Sequence, residues 1–199
     1  STYYHIVATD NGAYACGAST SASVLILVNP IPTVNIPSKQ SVCNSSLTSA
    51  VTFTGTATSY NWTNDTPSIG LAASGTGNIA SFTATNSGNS TVTATISVTP
   101  VYTGGGVSCT GTTQTFTITV HPTPTVVAPI GLTYCNGVLS TPFNLTGTPA
   151  SVVYDITGGA AIGLANQTDV PNIPAFTPIA GTAVLTVTPK INNCSGTPV

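Results

Sequence analysis

The sequence predicts an all-β protein, built from tandem β-sandwich modules in an elongated array. Three observations lead to this prediction. The 199-residue chain repeats itself at a spacing of 92 residues. Within each repeat, apolar residues alternate with threonine, which is the period of a strand with one buried face. Charged residues make up only 3% of the chain, so the Glu, Lys and Arg that usually cover helix surfaces are nearly absent.

The internal repeat defines three modules. Residues 1–28 form the C-terminal strands of a preceding module, 29–120 a complete module, and 121–199 a module lacking its last strand. A length near 92 residues suits one β-sandwich of about 100 residues. Truncated modules would leave sheet edges unpaired, so neighbouring chains or further modules are expected to complete them. The repeat matches segment 30–34 to 122–126, Cys43 to Cys135, Trp62 to Tyr154, and Cys16 to Cys109 and Cys194.

Seven short strands are predicted in the central module, which is the pattern of an immunoglobulin-like sandwich. Threonine favours the pleat because it is branched at Cβ. The predicted strands lie near 33–37, 50–55, 58–63, 68–72, 79–84, 91–99 and 113–120. Their counterparts in the third module are 143–145, 152–156, 173–176 and 183–187.

Trp62 and Tyr154 are predicted to anchor the cores of their modules from equivalent positions. The linkers 29–32 and 121–124 carry alternating prolines, which fix φ and favour extended backbone. These joints are therefore expected to be stiff.

Composition excludes several classes of function. Two lysines and no arginine cannot replace the counterions around a nucleic acid. The longest strongly apolar run, 24–28, is far shorter than the about 18–20 residues of a membrane-spanning helix. Acid–base catalysis has few groups to draw on, and no nucleophile or carboxylate lies beside either histidine in the sequence. We therefore expect no catalytic residues, no enzyme activity and no cofactor. The titratable carboxylates and imidazoles are Asp10, Asp65, Asp155, Asp169, His5 and His121.

No metal site is predicted, because calcium prefers several clustered carboxylates and the aspartates are scattered. The nearest candidate is Asn64-Asp65-Thr66, which also suits an ordinary turn. Lys39 and Lys190 could form crosslinks to asparagine, but no accompanying buried acid is evident.

The five cysteines are predicted to form disulfides, since no CxxC or histidine-rich spacing suggests a metal site. Pairing within modules, Cys43 with Cys109 and Cys135 with Cys194, is the first choice. Cys16 would then pair outside the chain. If five antiparallel strands separate the two cysteines of a module, the cysteines lie at opposite ends of the sandwich, too far apart to bond. The alternative is then a bond between modules, Cys43 with Cys194.

Several motifs together resemble the Ig-like and PKD-like repeats of large surface adhesins of Bacteroidota, including gliding-motility adhesins. They are Val42-Cys43-Asn44 before a Val-Thr-Phe-Thr strand, Tyr60-Asn61-Trp62, the Thr-Val-Thr-Ala-Thr strand, and Phe-Thr-Ile-Thr-Val before proline. The resemblance implies type IX secretion to the cell surface and a stalk, filament or adhesive role.

We therefore expect a structural or adhesive segment of an extracellular protein. Its hydroxyl-rich, nearly uncharged surface, with 38 Thr and 20 Ser, would pack against like modules, other copies of itself or surface glycans. The alternative is a carbohydrate-binding or accessory module of a secreted enzyme, with exposed tyrosines such as Tyr3, Tyr4 or Tyr102 contacting the sugar.

Overall fold

The structure is a computed structural model, which describes residues 2–4, 24–127 and 131–199. The predicted all-β class is confirmed, because strands and loops make up almost all of it. The strands are β1 (Thr2–Tyr4), β2 (Val24–Ile26), β3 (Gln40–Cys43), β4 (Ser59–Asn64), β5 (Ser74–Thr76), β6 (Val92–Gly104), β7 (Val107–Thr110), β8 (Gln114–His121), β9 (Thr125–Val126), β10 (Phe143–Asn144), β11 (Gly147–Thr148), β12 (Val153–Thr157), β13 (Gln167–Val170), β14 (Asn172–Ile173), β15 (Thr186–Ile191) and β16 (Cys194–Ser195).

The largest sheet has the order β3-β8-β6-β4-β5, and β7 extends β6 as a hairpin. Its long strands follow the predicted alternation, since β6 buries every second residue over 94–100 and β8 every second residue over 116–120. β3 runs parallel to β8, which aligns Cys43 with His121 at one end of the sheet. Sequence periodicity did not predict this short parallel strand.

The first core lies between this sheet and a second layer whose segments meet through isolated bridges, such as Val51 with Ile79. Trp62 is buried in this core, and so is Phe53 from the second layer. The strand predicted at 68–72 is wrong: a 3-10 helix, Pro67–Ile69, occupies the start of it and ends at Gly70 in the left-handed conformation.

A second core is formed by residues beyond position 125. Its main sheet has the order β13-β12-β15-β16. A 3-10 helix, Ala160–Ile162, again follows the central strand and ends at a left-handed glycine, Gly163. The buried members of this core are Val152, Tyr154, Ile156, Leu164, Ile173 and Val187.

The two cores share one construction, but the predicted equivalence of Trp62 and Tyr154 is off by two residues. Tyr154 pairs with Pro189 across strands, and in the first core it is Tyr60 that pairs with the matching Pro100. Ile156 therefore takes the place of Trp62. The chain between Gly147 and Tyr154 has two more residues than its counterpart, which shifts the register.

Candidate functional site: the joint between the two cores

A disulfide between Cys43 and Cys194 connects the two cores. Cys43 ends β3, and Cys194 begins β16 directly after a two-residue turn. The Cα atoms are 5.5 Å apart. Because 151 residues separate the two cysteines, the bond encloses most of both cores in one covalent loop.

The expected bond between Cys43 and Cys109 is wrong. Cys43 lies level with His121, next to the start of β6 at Val92, whereas Cys109 pairs with Tyr102 near the other end of the same strand. The strand from Val92 to Tyr102 spans about 33 Å, and a disulfide requires Cα atoms within about 7 Å.

The expected bond between Cys135 and Cys194 is wrong for the same reason. The loop that follows Cys135 is held by a hydrogen bond from Gly137 N to Pro178 O, near the 3-10 helix that follows β12. Cys194 pairs with Ile191 at the opposite end of β15. Cys109 and Cys135 have no disulfide partner among the described residues, and Cys16 lies outside them.

The turn that carries Cys194 is fixed by two asparagines. Asn192 and Asn193 have φ values of 46° and 65°, a left-handed conformation that asparagine tolerates better than most residues. They join the paired residues Ile191 and Cys194 in a two-residue hairpin, which favours such conformations.

His121 lies at the centre of the polar contacts of the joint, and it is only 6% exposed. The Asn192 side-chain amide donates to His121 Nδ1 at 3.2 Å. Thr91 Oγ1 lies 3.0 Å from the same nitrogen, and Ser41 Oγ lies 2.9 Å from Nε2. The imidazole thus connects β3 and β8 of the first core with the hairpin of the second.

The linker itself is held by the residue beside the disulfide. Asn44 Nδ2 donates to Thr123 Oγ1 at 3.0 Å, and Asn44 N donates to His121 O at 2.8 Å. The predicted joint at residues 121–124 is therefore tied to the first core on the side of Cys43.

Sequence reasoning placed no nucleophile near His121, but the parallel pairing of β3 with β8 brings the Ser41 hydroxyl to it. No carboxylate contacts the imidazole in the described structure, where its other nitrogen faces Asn192 and Thr91. The joint is therefore a set of hydrogen bonds and one disulfide, which can transmit load between the cores.

Among the described residues, the charged side chains form one small cluster, in which Lys190 lies between two aspartates. Lys190 Nζ lies 3.0 Å from Asp169 Oδ1 and 3.1 Å from Asp155 Oδ2. The hydrogen bonds to Asp169 and then Asp155 raise the pKa of the Lys190 ammonium. Asp10 and His5 lie outside the described residues.

Asp65 forms part of a turn. Its Oδ1 accepts from Thr95 N and from Thr66 Oγ1, each at 2.8 Å. The Thr95 bond first, and the Thr66 bond second, lower the pKa of the carboxyl. Within the ranges described above, no three His, Cys, Asp or Glu side chains are placed to hold a metal ion.

Both predicted anchor residues are buried, Trp62 at 7% exposure and Tyr154 at 1%. Burial raises the pKa of the Tyr154 phenol. Trp62 Nε1 is buried and has no hydrogen-bond partner among the described residues. Tyr102, one of the candidate sugar contacts, is half-buried on β6, and the side chains of Tyr3 and Tyr4 lie outside the described residues.

Across the described part of the chain, no helix has the length and apolar character needed to cross a membrane. A comparison of the chain with protein-family models found no match, and a comparison with curated proteins found none either.

Proposed function

We propose that the chain is a segment of tandem Ig-like modules from an extracellular surface adhesin or filament, and that it acts as a stalk or fibre. The Cys43–Cys194 bond is the observation that carries this proposal. A bond between the two cores limits how far the pair can be stretched.

The internal symmetry of the two cores supports a repeated mechanical unit. The same tyrosine–proline pair, 3-10 turn and hairpin recur in both, and Pro122 and Pro124 stiffen the connection between them. A disulfide is typical of oxidising compartments outside the cytosol, which agrees with secretion to the surface. Type IX export and a role in gliding follow only from the resemblance of the repeats to Bacteroidota adhesins.

The uncharged surface suits a fibre that packs against like modules or surface glycans. With 4 acidic and 2 basic side chains in the chain, electrostatic repulsion between copies is weak. Threonines on the exposed face of the large sheet, such as Thr93 and Thr119, already bond to one another across β6 and β8.

Single-molecule stretching tests this function directly. Handles attached at residues 29 and 199 would pull on the oxidised chain, where the bond prevents the 151-residue interval from extending. Reduction should add about 500 Å of extension, at about 3.4 Å for each residue released. The same extension in both redox states would contradict the mechanical role of the bond, and a Cys109→Ser variant provides the control.

A further inference from the structure

His121 makes the hydrogen bond that attaches the second core to the first. The Asn192 amide in the turn between β15 and β16 lies 3.2 Å from Nδ1 of the imidazole. Among the residues that the structure describes, no other hydrogen bond joins a residue up to position 121 with one beyond position 124. The linker and the Cys43–Cys194 disulfide are the covalent connections. The polar attachment between the cores therefore depends on a single imidazole.

The equivalent contact at the entry of the first core is made by a side chain that does not titrate. Asn29 is the counterpart of His121 at the repeat spacing of 92 residues. Its Nδ2 donates to Gly104 O at 2.8 Å and to Val107 O at 2.9 Å, on either side of the turn between β6 and β7. Each core thus receives a side chain at the same hairpin, from the residue just before its entry linker. Only the second core receives a histidine there.

The contacts of His121 fit the neutral form of the ring. The amide nitrogen of Asn192 can only donate, so Nδ1 accepts and carries no proton. A neutral imidazole then carries its single proton on Nε2, the nitrogen that lies 2.9 Å from Ser41 Oγ. Thr91 Oγ1, at 3.0 Å, is placed to donate to Nδ1 as well. In this form both ring nitrogens have hydrogen-bond partners.

Protonation of Nδ1 removes the acceptor that Asn192 uses. The ring would then present an N–H group on each nitrogen, and one of them would face the N–H of the Asn192 amide. A rotated amide would remove this repulsion, but the buried charge would remain. Because His121 is only 6% exposed, the imidazolium would lose most of its hydration in the joint. Separation of the hairpin from the ring restores that hydration.

No charged group compensates the imidazolium within the described structure, where neither ion pair includes His121. The groups that face the ring are Ser41 and Cys43 from β3, Thr91 from the segment before β6, and Asn192 from the hairpin that also carries Cys194. The two cysteines form the disulfide and do not titrate. The described charged side chains lie elsewhere: Lys190 pairs with Asp155 and Asp169, Asp65 bonds to Thr95 and Thr66, and Lys39 is exposed.

We propose that His121 makes the joint between the two cores sensitive to pH. Imidazole is the side chain that ordinarily changes its charge between about pH 5 and pH 8. The neutral ring holds the hairpin of the second core, and the protonated ring releases it. The linker and the Cys43–Cys194 bond remain, so the released core pivots without separating. The Asn29 contact with the first core does not titrate and stays closed.

This proposal deepens the proposed function and rests on it, because it names the condition under which a stiff joint of the stalk becomes a hinge. The device has two states, which differ in one hydrogen bond and in the hydration of one ring. Acid favours the hinged state, since only the protonated ring lacks a partner for its charge.

Residual dipolar couplings of the oxidised full chain test the proposal. The backbone amides of each core are fitted separately, from about pH 8 to about pH 5. At the upper end one alignment tensor should describe both cores, and at the lower end this common tensor should be lost. The ring ¹⁵N shifts of His121 should change with the same midpoint. One tensor at every pH, or a loss that does not follow the ring shifts, would overturn the proposal.

Two substitutions at the contact distinguish the imidazole from general effects of acid. His121→Asn introduces the residue type found at position 29, whose amide oxygen can accept from Asn192 but does not titrate. One tensor should then describe both cores at every pH. Asn192→Asp places a carboxylate against the ring, and the cores should stay joined in acid because the imidazolium gains an opposite charge. Aspartate also tolerates the left-handed backbone of residue 192.

His5→Gln is the matched control, because His5 is the other histidine of the chain, and it should leave the transition unchanged. Loss of the common tensor in acid for either His121→Asn or Asn192→Asp would overturn the proposal. If one of these two variants does not fold, the other still decides. The couplings are measured without force and with the disulfide intact, whereas stretching at neutral pH measures the disulfide. A failure of the pH response is therefore distinguishable from a failure of the stalk function.

Discussion

Gly111 packs directly against the carbonyl group of Pro32, and a Cβ atom at Gly111 would overlap the carbonyl oxygen. Gly196 has the same relationship to Pro124 in the second core. The N–H of Gly111 donates to the carbonyl oxygen of the buried Pro100 at 2.9 Å, and the N–H of Gly196 donates to that of the buried Pro189 at the same distance. Each module thus closes its hairpin onto its entry linker through a contact that only glycine allows.

We predict that Gly111→Ala destabilises the first core by about 1–3 kcal/mol, the usual cost of overpacking. Gly196→Ala should affect the second core in the same way. Thermal unfolding followed by calorimetry measures both effects. Gly131→Ala is the matched control, since a Cβ there meets no atom within 4 Å. Equal unfolding temperatures for the Gly111 and Gly131 variants would contradict the packing argument.

Replacing both Cys43 and Cys194 by serine should lower the stability of the joined cores by up to about 5 kcal/mol, as estimated from loop entropy for 151 residues. The double substitution avoids leaving a single reactive thiol. Denaturant unfolding without reductant measures the loss. Cys109→Ser, which removes a thiol without a described partner, should leave the unfolding midpoint unchanged.

Asn192→Gly should weaken the joint by about 0.5–1.5 kcal/mol, because it removes the hydrogen bond to His121 but permits the left-handed backbone. Asn193→Gly makes the same backbone change with no described contact to His121. A double-mutant cycle with His121→Ala isolates the interaction. If the two glycine variants behave alike in that cycle, the contact contributes nothing.

Asp65 should make stability depend on pH in the acid range. Its pKa is lowered in the folded state by the Thr95 and Thr66 hydrogen bonds, so its contribution is present above the usual carboxyl pKa of about 3.9. The contribution is lost as pH falls through the lowered folded pKa. Urea midpoints at neutral and acid pH should differ less for Asp65→Asn than for the unchanged chain. An undiminished pH dependence would assign the effect to other groups.

Periodicity predicted the elements whose pattern is local. β6 and β8 alternate over many residues, so one buried face was evident from the sequence. The 3-10 helix at Pro67–Ile69 was missed, because its apolar residues resemble those of a short strand and the left-handed Gly70 gives no periodic signal. The offset between Trp62 and Tyr154 depends on a two-residue insertion that a fixed spacing cannot detect.

The site was less predictable than the fold. Counting strands left two pairings of Cys43 open, with Cys109 or with Cys194. The choice between them depended on how two modules meet, and local sequence patterns do not determine that contact. The contact of Ser41 with His121 depends on a parallel strand of four residues. One sequence signal did point to a polar residue at this joint. Asn29 occupies the position of His121 in the repeat, and both residues precede a Pro-x-Pro linker.

The covalent loop closed by Cys43 and Cys194 also changes the outcome of proteolysis. A single cut in any exposed turn between these cysteines would separate the backbone into two pieces that stay bonded through sulfur. A damaged molecule would therefore keep its two ends connected until a reductant cleaves the disulfide.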